Sequence, residues 1–200
     1  MLRARGATAL APGARAAVHA YRGEYVTRLR ERGVPLPDGI EHLFQHDLHA
    51  GCMETAMMLA IAPDLVSPDY QKVPDLFAKD RWWLRGLSRF ILGVARLLPL
   101  DQLTKDSLAI GTHVGAVDLS WIIGGRGAGY HGAPARATEA LGEGLLGVVS
   151  EDLARAIEEV FLEGADPEAY RSAAYLFNWF KNIVFAVVVI VFALVMMSVT

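Results

Sequence analysis

Residues 47–66 read DLHAGCMETAMMLAIAPDLV. An imidazole and a carboxylate, His49 and Glu54, bracket Gly51, and the chain then runs into an apolar stretch closed by Pro63. A glycine lets backbone lie close to a ligand, and an imidazole beside a carboxylate is the layout of an acid/base loop. Met57, Met58, Ile61, Ala62 and Leu65 fall near helical spacing, which predicts a helix that anchors the loop. Glu54 would then occupy the first turn, where the helix dipole favours a negative charge. The preceding segment, 40–48, is short and reads as a strand delivering the loop, because parallel sheets place their sites at strand ends. That reading sets the expected fold class as α/β.

A second block, GYHGAPARATEALG at 129–142, sharpens the expectation. Together the two blocks resemble the His-Ala-Gly-x-x-Glu-Thr, Pro-Asp-Leu-Val and Gly-x-x-Gly-x-Pro-x-x-Ala-Thr-x-x-x-Gly segments of the creatininase family, the creatinine amidohydrolase-like metal hydrolases. The resemblance implies a parallel sheet with flanking helices, here incomplete, and hydrolysis of a C–N amide bond in a small-molecule substrate. In the family site a metal-held hydroxide attacks the carbonyl while the loop histidine handles the proton. Carried onto this chain, His49 and Glu54 are the catalytic residues, and Gly51, Asp47 and His131 line the substrate. The family's tendency to assemble implies a homo-oligomer.

The chain departs from the family pattern in its metal ligands. The family holds two divalent ions, zinc or manganese, through a Glu-x-His pair, a following Asp and a later Asn-Gly-His segment, none of which occurs here. A metal that activates water needs several anionic or imidazole ligands. The expectation is therefore that this chain alone supplies no metal ligands and corresponds to the C-terminal portion of the family domain. Leu48 also stands where creatininases often carry a glutamate, and Ala56 replaces a serine. His46, His49 and Cys52 have ligand-like spacing, but a site of that kind needs a fourth group and a supporting shell.

Composition bounds the rest. Two hundred residues with 53% hydrophobic content suffice for one domain with a real core. A net charge of -3 gives no general attraction to nucleic acid, and no motif of that kind is present. The single cysteine, Cys52, excludes an internal disulfide and reads as a small packed residue.

Fifteen apolar residues run unbroken from Ile183 to Met197, long enough with their flanks to cross a bilayer core that takes roughly 20 residues. Tyr175, Phe177 and Trp179 form an aromatic belt before them, and Arg171 and Lys181 place the main domain on the cytoplasmic side. This predicts a C-terminal transmembrane helix in 171–200, a single-pass anchor with the lipid bilayer as partner. No apolar leader segment is found in 1–33. The region 81–100, RWWLRGLSRFILGVARLLPL, sets Arg81, Arg85, Arg89 and Arg96 opposite leucine and tryptophan. It reads equally as an interfacial helix or as an ordinary surface helix, inserted between the two family-like blocks.

The expected organisation is an Arg/Ala-rich segment with a helix at 1–37, the creatininase-like portion at 38–170 with its amphipathic insertion at 81–100, and the anchor. Within the middle portion, 106–130 reads as glycine-rich loop with a short strand near 119–123. Helices are expected after Pro134 and, capped by Ser150, up to Gly164. Two functions are compatible with this pattern: a membrane-tethered amidohydrolase, and a catalytically silent membrane scaffold that keeps part of the fold.

Overall fold

The computed structural model describes residues 19–20, 22–47, 49–77, 81–97, 102–124 and 129–166. Six helices carry these residues: α1 (Glu24–Glu31), α2 (Ile40–His46), α3 (Cys52–Ile61), α4 (Trp82–Leu97), α5 (Gln102–Gly124) and α6 (Glu139–Phe161). Short 3-10 turns at Pro63–Leu65, Pro68–Lys72 and Pro134–Arg136 link them.

The expected α/β class is overturned. Among the described residues there is no strand, and extended pairing is confined to two isolated antiparallel bridges, His49 with His131 and Leu76 with Gly132. The segment read as a strand before the motif is α2, because its buried residues Ile40, Leu43 and Phe44 recur at three and four positions and not at two. The segment near 119–123 lies inside α5, where the helix runs past Gly111 and Gly115 without interruption. Ser150 likewise caps nothing and sits within α6. That helix starts at Thr138, whose hydroxyl accepts from the Leu141 N–H at 3.2 Å, with Glu139 in the first turn.

The single-pass anchor is also withdrawn. The stretch 171–200 lies outside the described residues, and among those described no helix is long and apolar enough to cross a membrane.

The core is built where α1, α2 and α3 meet α6. Leu29, Ile40, Leu43, Cys52, Ala56, Leu141, Leu145 and Val148 are all buried there. α3 and α6 approach most closely at Gly142, where an added Cβ would lie 1.9 Å from the Ala56 carbonyl oxygen. Polar contacts fix α1 against α6. Arg28 donates to Asp152 at 2.7 Å and Tyr25 Oη–H donates to the same carboxylate at 2.9 Å. Burial would raise the Asp152 carboxyl, but these two hydrogen bonds outweigh it and hold the group below its ordinary range. Arg28 is thus a clamp, while Arg22 and Arg30 pair with Asp106 and Glu41 on the exposed side.

α4 and α5 pair with each other as a separate hairpin. Ser88 Oγ–H donates to the Thr112 carbonyl at 3.4 Å between them.

Two glycine substitutions separate helix propensity from packing. Gly93→Ala in α4, where an added Cβ meets nothing within 4 Å, should stabilise the protein by about 1 kcal/mol. Gly142→Ala gains the same propensity but drives a methyl into backbone, and should destabilise by about 2 kcal/mol net. Chemical denaturation midpoints of both variants check the opposite signs.

Candidate active site

The site is assembled around a carboxylate. Asp47 follows α2 and turns its side chain back under the loop 49–51. Its Oδ2 accepts the Met53 N–H at 2.9 Å, and its Oδ1 accepts the Ala133 N–H at 3.1 Å. The Cys52 amide also bonds this group. Asp47 therefore caps α3, whose formal cap position, Gly51, has no side chain to do so. The same contacts tie the first sequence block to the second. Burial pushes the Asp47 carboxyl above its ordinary range against the lowering pull of those three amides.

Space around the carboxylate explains the motif glycines. A Cβ on Gly51 would lie 1.9 Å from Asp47 Oδ1, and one on Gly132 would lie 1.7 Å from it. Gly132 also has φ +145, a conformation other residues rarely reach. Backbone bonds complete the seam. The His49 and His131 amides exchange hydrogen bonds at 3.2 and 2.8 Å, and Leu76 and Gly132 exchange a pair at 2.8 Å each.

On this platform His49 and Glu54 stand out to solvent, with side chains 59% and 53% exposed and His49 Nδ1 3.9 Å from Glu54 Oε2. Glu54 Oε2 also accepts the Ala50 N–H at 2.5 Å. Ala50 is the one described non-glycine residue with positive φ, at 47°, which places backbone strain between the two candidate catalytic residues. The Glu54 carboxylate holds that turn and so fixes the direction in which His49 projects.

His131 lies beneath, fully buried at 0%. Its ring meets Phe77 edge-on at 5.9 Å and Trp121 at 6.2 Å, and Trp121 in turn lies 5.9 Å from the His49 ring. Trp121, on α5, is a site residue that the sequence reading missed. Its only signal was an aromatic side chain in a stretch that read as a short strand. Its indole N–H is buried with no acceptor among the described residues.

The ring contacts continue away from the loop. His42 touches Phe77 at 5.0 Å, stacks on His46 at 4.1 Å, and His46 meets His113 of α5 at 4.9 Å. His113 Nε2 lies 3.0 Å from the Gln45 carbonyl, an oxygen that can only accept, so the ring donates. Five of the chain's six histidines thus belong to one connected set.

The described residues do not fit a divalent metal centre. Among the described residues no group of three or more His, Cys, Asp or Glu side chains is placed to hold an ion. Both Asp47 oxygens are already engaged by amides. Cys52 is buried, and burial with Asp47 nearby pushes its thiol up to about 12, far from the thiolate a metal requires. A cleft of about 410 Å³ lies between α1 and α2, lined by residues 30–41, and includes none of the motif residues.

A family model described as Creatininase: Creatinine amidohydrolase matches residues 7–157, spanning both sequence blocks and everything between them. Comparison with curated proteins and with solved structures returns no match.

Asp47→Ala should cost about 3 kcal/mol, since it removes the cap and strands buried amides. Asp47→Asn, which keeps an acceptor oxygen, should cost less. Equilibrium unfolding of the pair tests the structural reading of this carboxylate.

The histidine set gives a pH signature. Burial, then the neighbouring His42, lowers the His46 pKa from 6.5. The unfolded chain therefore takes up its proton first, and stability present above about pH 6.5 is lost as pH falls toward the lower folded value. His46→Gln should flatten the dependence of the melting temperature on pH across that window, measured against the parent.

Proposed function

The chain belongs to the creatininase family, and from that premise we propose that it hydrolyses a C–N amide bond in a small molecule, with His49 transferring the proton. The observation that carries this reading is the His49–Glu54 pair, exposed together on a loop held by the Asp47 seam. In such a hydrolysis the water oxygen bonds to the carbonyl carbon and the C–N bond breaks. The proton that water loses has to reach the departing nitrogen. An imidazole exchanges protons near neutral pH and can make both transfers. Glu54 acts on His49 through distance and through Ala50: at 3.9 Å it is an electrostatic partner, and its grip on the Ala50 amide sets the loop.

Substrate would lie over the exposed His49–Glu54 pair and against Trp121, the aromatic wall beside His49. Gly51, buried with Asp47 where its side chain would be, would support that surface from beneath. His131, being fully buried, would shape the floor through its contact with Trp121. Asp47 supports this surface from below, because its oxygens are spent on backbone amides.

The family is generally metal-dependent, and the described donors do not converge on an ion. Metal, zinc or manganese, would be held by residues beyond the described set or by a partner chain. A second reading, a catalytically silent scaffold, draws support from the same donor arrangement.

Turnover of creatinine and other small cyclic amides, followed with and without added zinc or manganese, tests the proposal. His49→Ala should lower the rate by at least about 100-fold, the usual worth of a positioned acid/base group, with the circular dichroism spectrum unchanged. Glu54→Gln should retain part of the rate. Full activity in the His49→Ala protein would refute the assignment, and absence of turnover in the parent under every metal condition would favour the scaffold.

A further inference from the structure

Helix α4 carries more apolar surface than its packing uses. One side is closed against α5: Leu84 and Ala95 are buried, and Ser88 between them bonds Thr112. These positions recur at four and seven residues, the repeat of a single helix face. The outer side keeps Trp82, Phe90 and Leu97 at 83%, 70% and 87% exposure. Trp83 and Leu87 extend that surface, which is larger than scattered single exposed residues would give.

Charge on the same helix has one sign. Arg85, Arg89 and Arg96 lie on a stripe roughly a quarter turn from Phe90 and Leu97, with Trp82 in line with Arg89 two turns away, and no Asp or Glu occurs anywhere in 81–100. Gly86 and Gly93 fall between the two stripes and have open space around them. The outward face therefore carries Phe90 and Leu97 on one flank and arginines on the other, with the exposed Trp82 at one end of the glycine-lined seam between them.

Each kind of occupant can be judged against that face. A second copy of the chain would set one arginine stripe near another. A nucleic acid would neutralise the arginines but leave Trp82, Phe90 and Leu97 in water, at a cost set by their apolar area. A surface that is anionic at its rim and hydrocarbon within satisfies both flanks at once. Arginine stems are long enough to keep their heads at such a rim while neighbouring aromatic side chains enter.

We infer that α4 docks flat on an anionic phospholipid surface, with Trp82, Phe90 and Leu97 entering the acyl boundary and Arg85, Arg89 and Arg96 at the head groups. This attachment is peripheral. It is independent of any hydrolytic activity, because none of these residues touches the His49 site.

The test is co-sedimentation of the full chain with phosphatidylcholine vesicles containing about one-third phosphatidylglycerol, compared with pure phosphatidylcholine. Binding should favour the anionic vesicles and weaken with salt. The double variant Arg89→Gln/Arg96→Gln should lose roughly 30-fold in apparent affinity. Phe90→Ser/Leu97→Ser should lose about tenfold or more on the same vesicles, and since both residues are exposed its fold should be intact by circular dichroism. Brominated acyl chains should quench the Trp82 and Trp83 emission of a protein carrying Trp121→Phe and Trp179→Phe. Vesicle binding that is unchanged by both double variants, as attachment through another part of the chain would give, overturns the inference. So does equal binding to neutral vesicles. A change of sedimentation coefficient in Phe90→Ser/Leu97→Ser without any change in vesicle binding would assign the face to a second copy and overturn it as well.

Discussion

A single buried carboxylate sets the geometry on which the rest depends. Asp47 takes three backbone amides from two segments some eighty residues apart in the chain. Burying the charge costs several kcal/mol, and charge-assisted bonds to amides return about 1.5–3 kcal/mol each. The balance holds only while all three amides stay in place, so the carboxylate specifies one arrangement of the loop and not a family of them. Gly51 and Gly132 are glycines because their missing Cβ atoms leave room for that group. The strained turn at Ala50, the projection of His49 and the burial of His131 all follow from the same seam.

This explains what could and could not be read in advance. The two motif blocks, the helix after Gly51 and the packed character of Cys52 are local properties, visible in residue type and spacing; the cap at Thr138 was not, and Ser150 was read in its place. Residues 40–46 were not settled that way. A seven-residue segment with three apolar residues is compatible with strand or helix until its neighbours bury one set of positions, and here Ile40, Leu43 and Phe44 join the core. The glycine-rich stretch that became α5 misleads for a related reason: helix packing overrides weak local propensity once a partner such as α4 is available.

Asp47 was legible as a polar residue beside the motif loop, but its task was not. Sequence proximity to His49 favours a role in substrate binding, whereas the fold turns the side chain inward, toward amides that only exist as donors after α3 and the second block have come together. The motif's histidine and glutamate keep the exposed positions expected of them because nothing in the core has a use for their charge. Their assignment to chemistry still rests on family membership and on their joint exposure, which is why activity and not geometry has to decide it.

The α4–α5 hairpin meets the rest of the protein by a different kind of contact. Where the loop is locked by buried charge-assisted bonds, the hairpin meets its neighbours through rings, Trp121 beside His49 and His131 and His113 beside His46, and through two polar contacts, His113 with the Gln45 carbonyl and Asp106 with Arg22. Aromatic contacts of this kind are worth about 0.5–1.5 kcal/mol each beyond burial, well below the cost of disrupting the Asp47 seam. The hairpin's other face carries the exposed aromatic and arginine side chains of α4. A surface that holds α4 would thus leave the His49–Glu54 pair where Asp47 puts it.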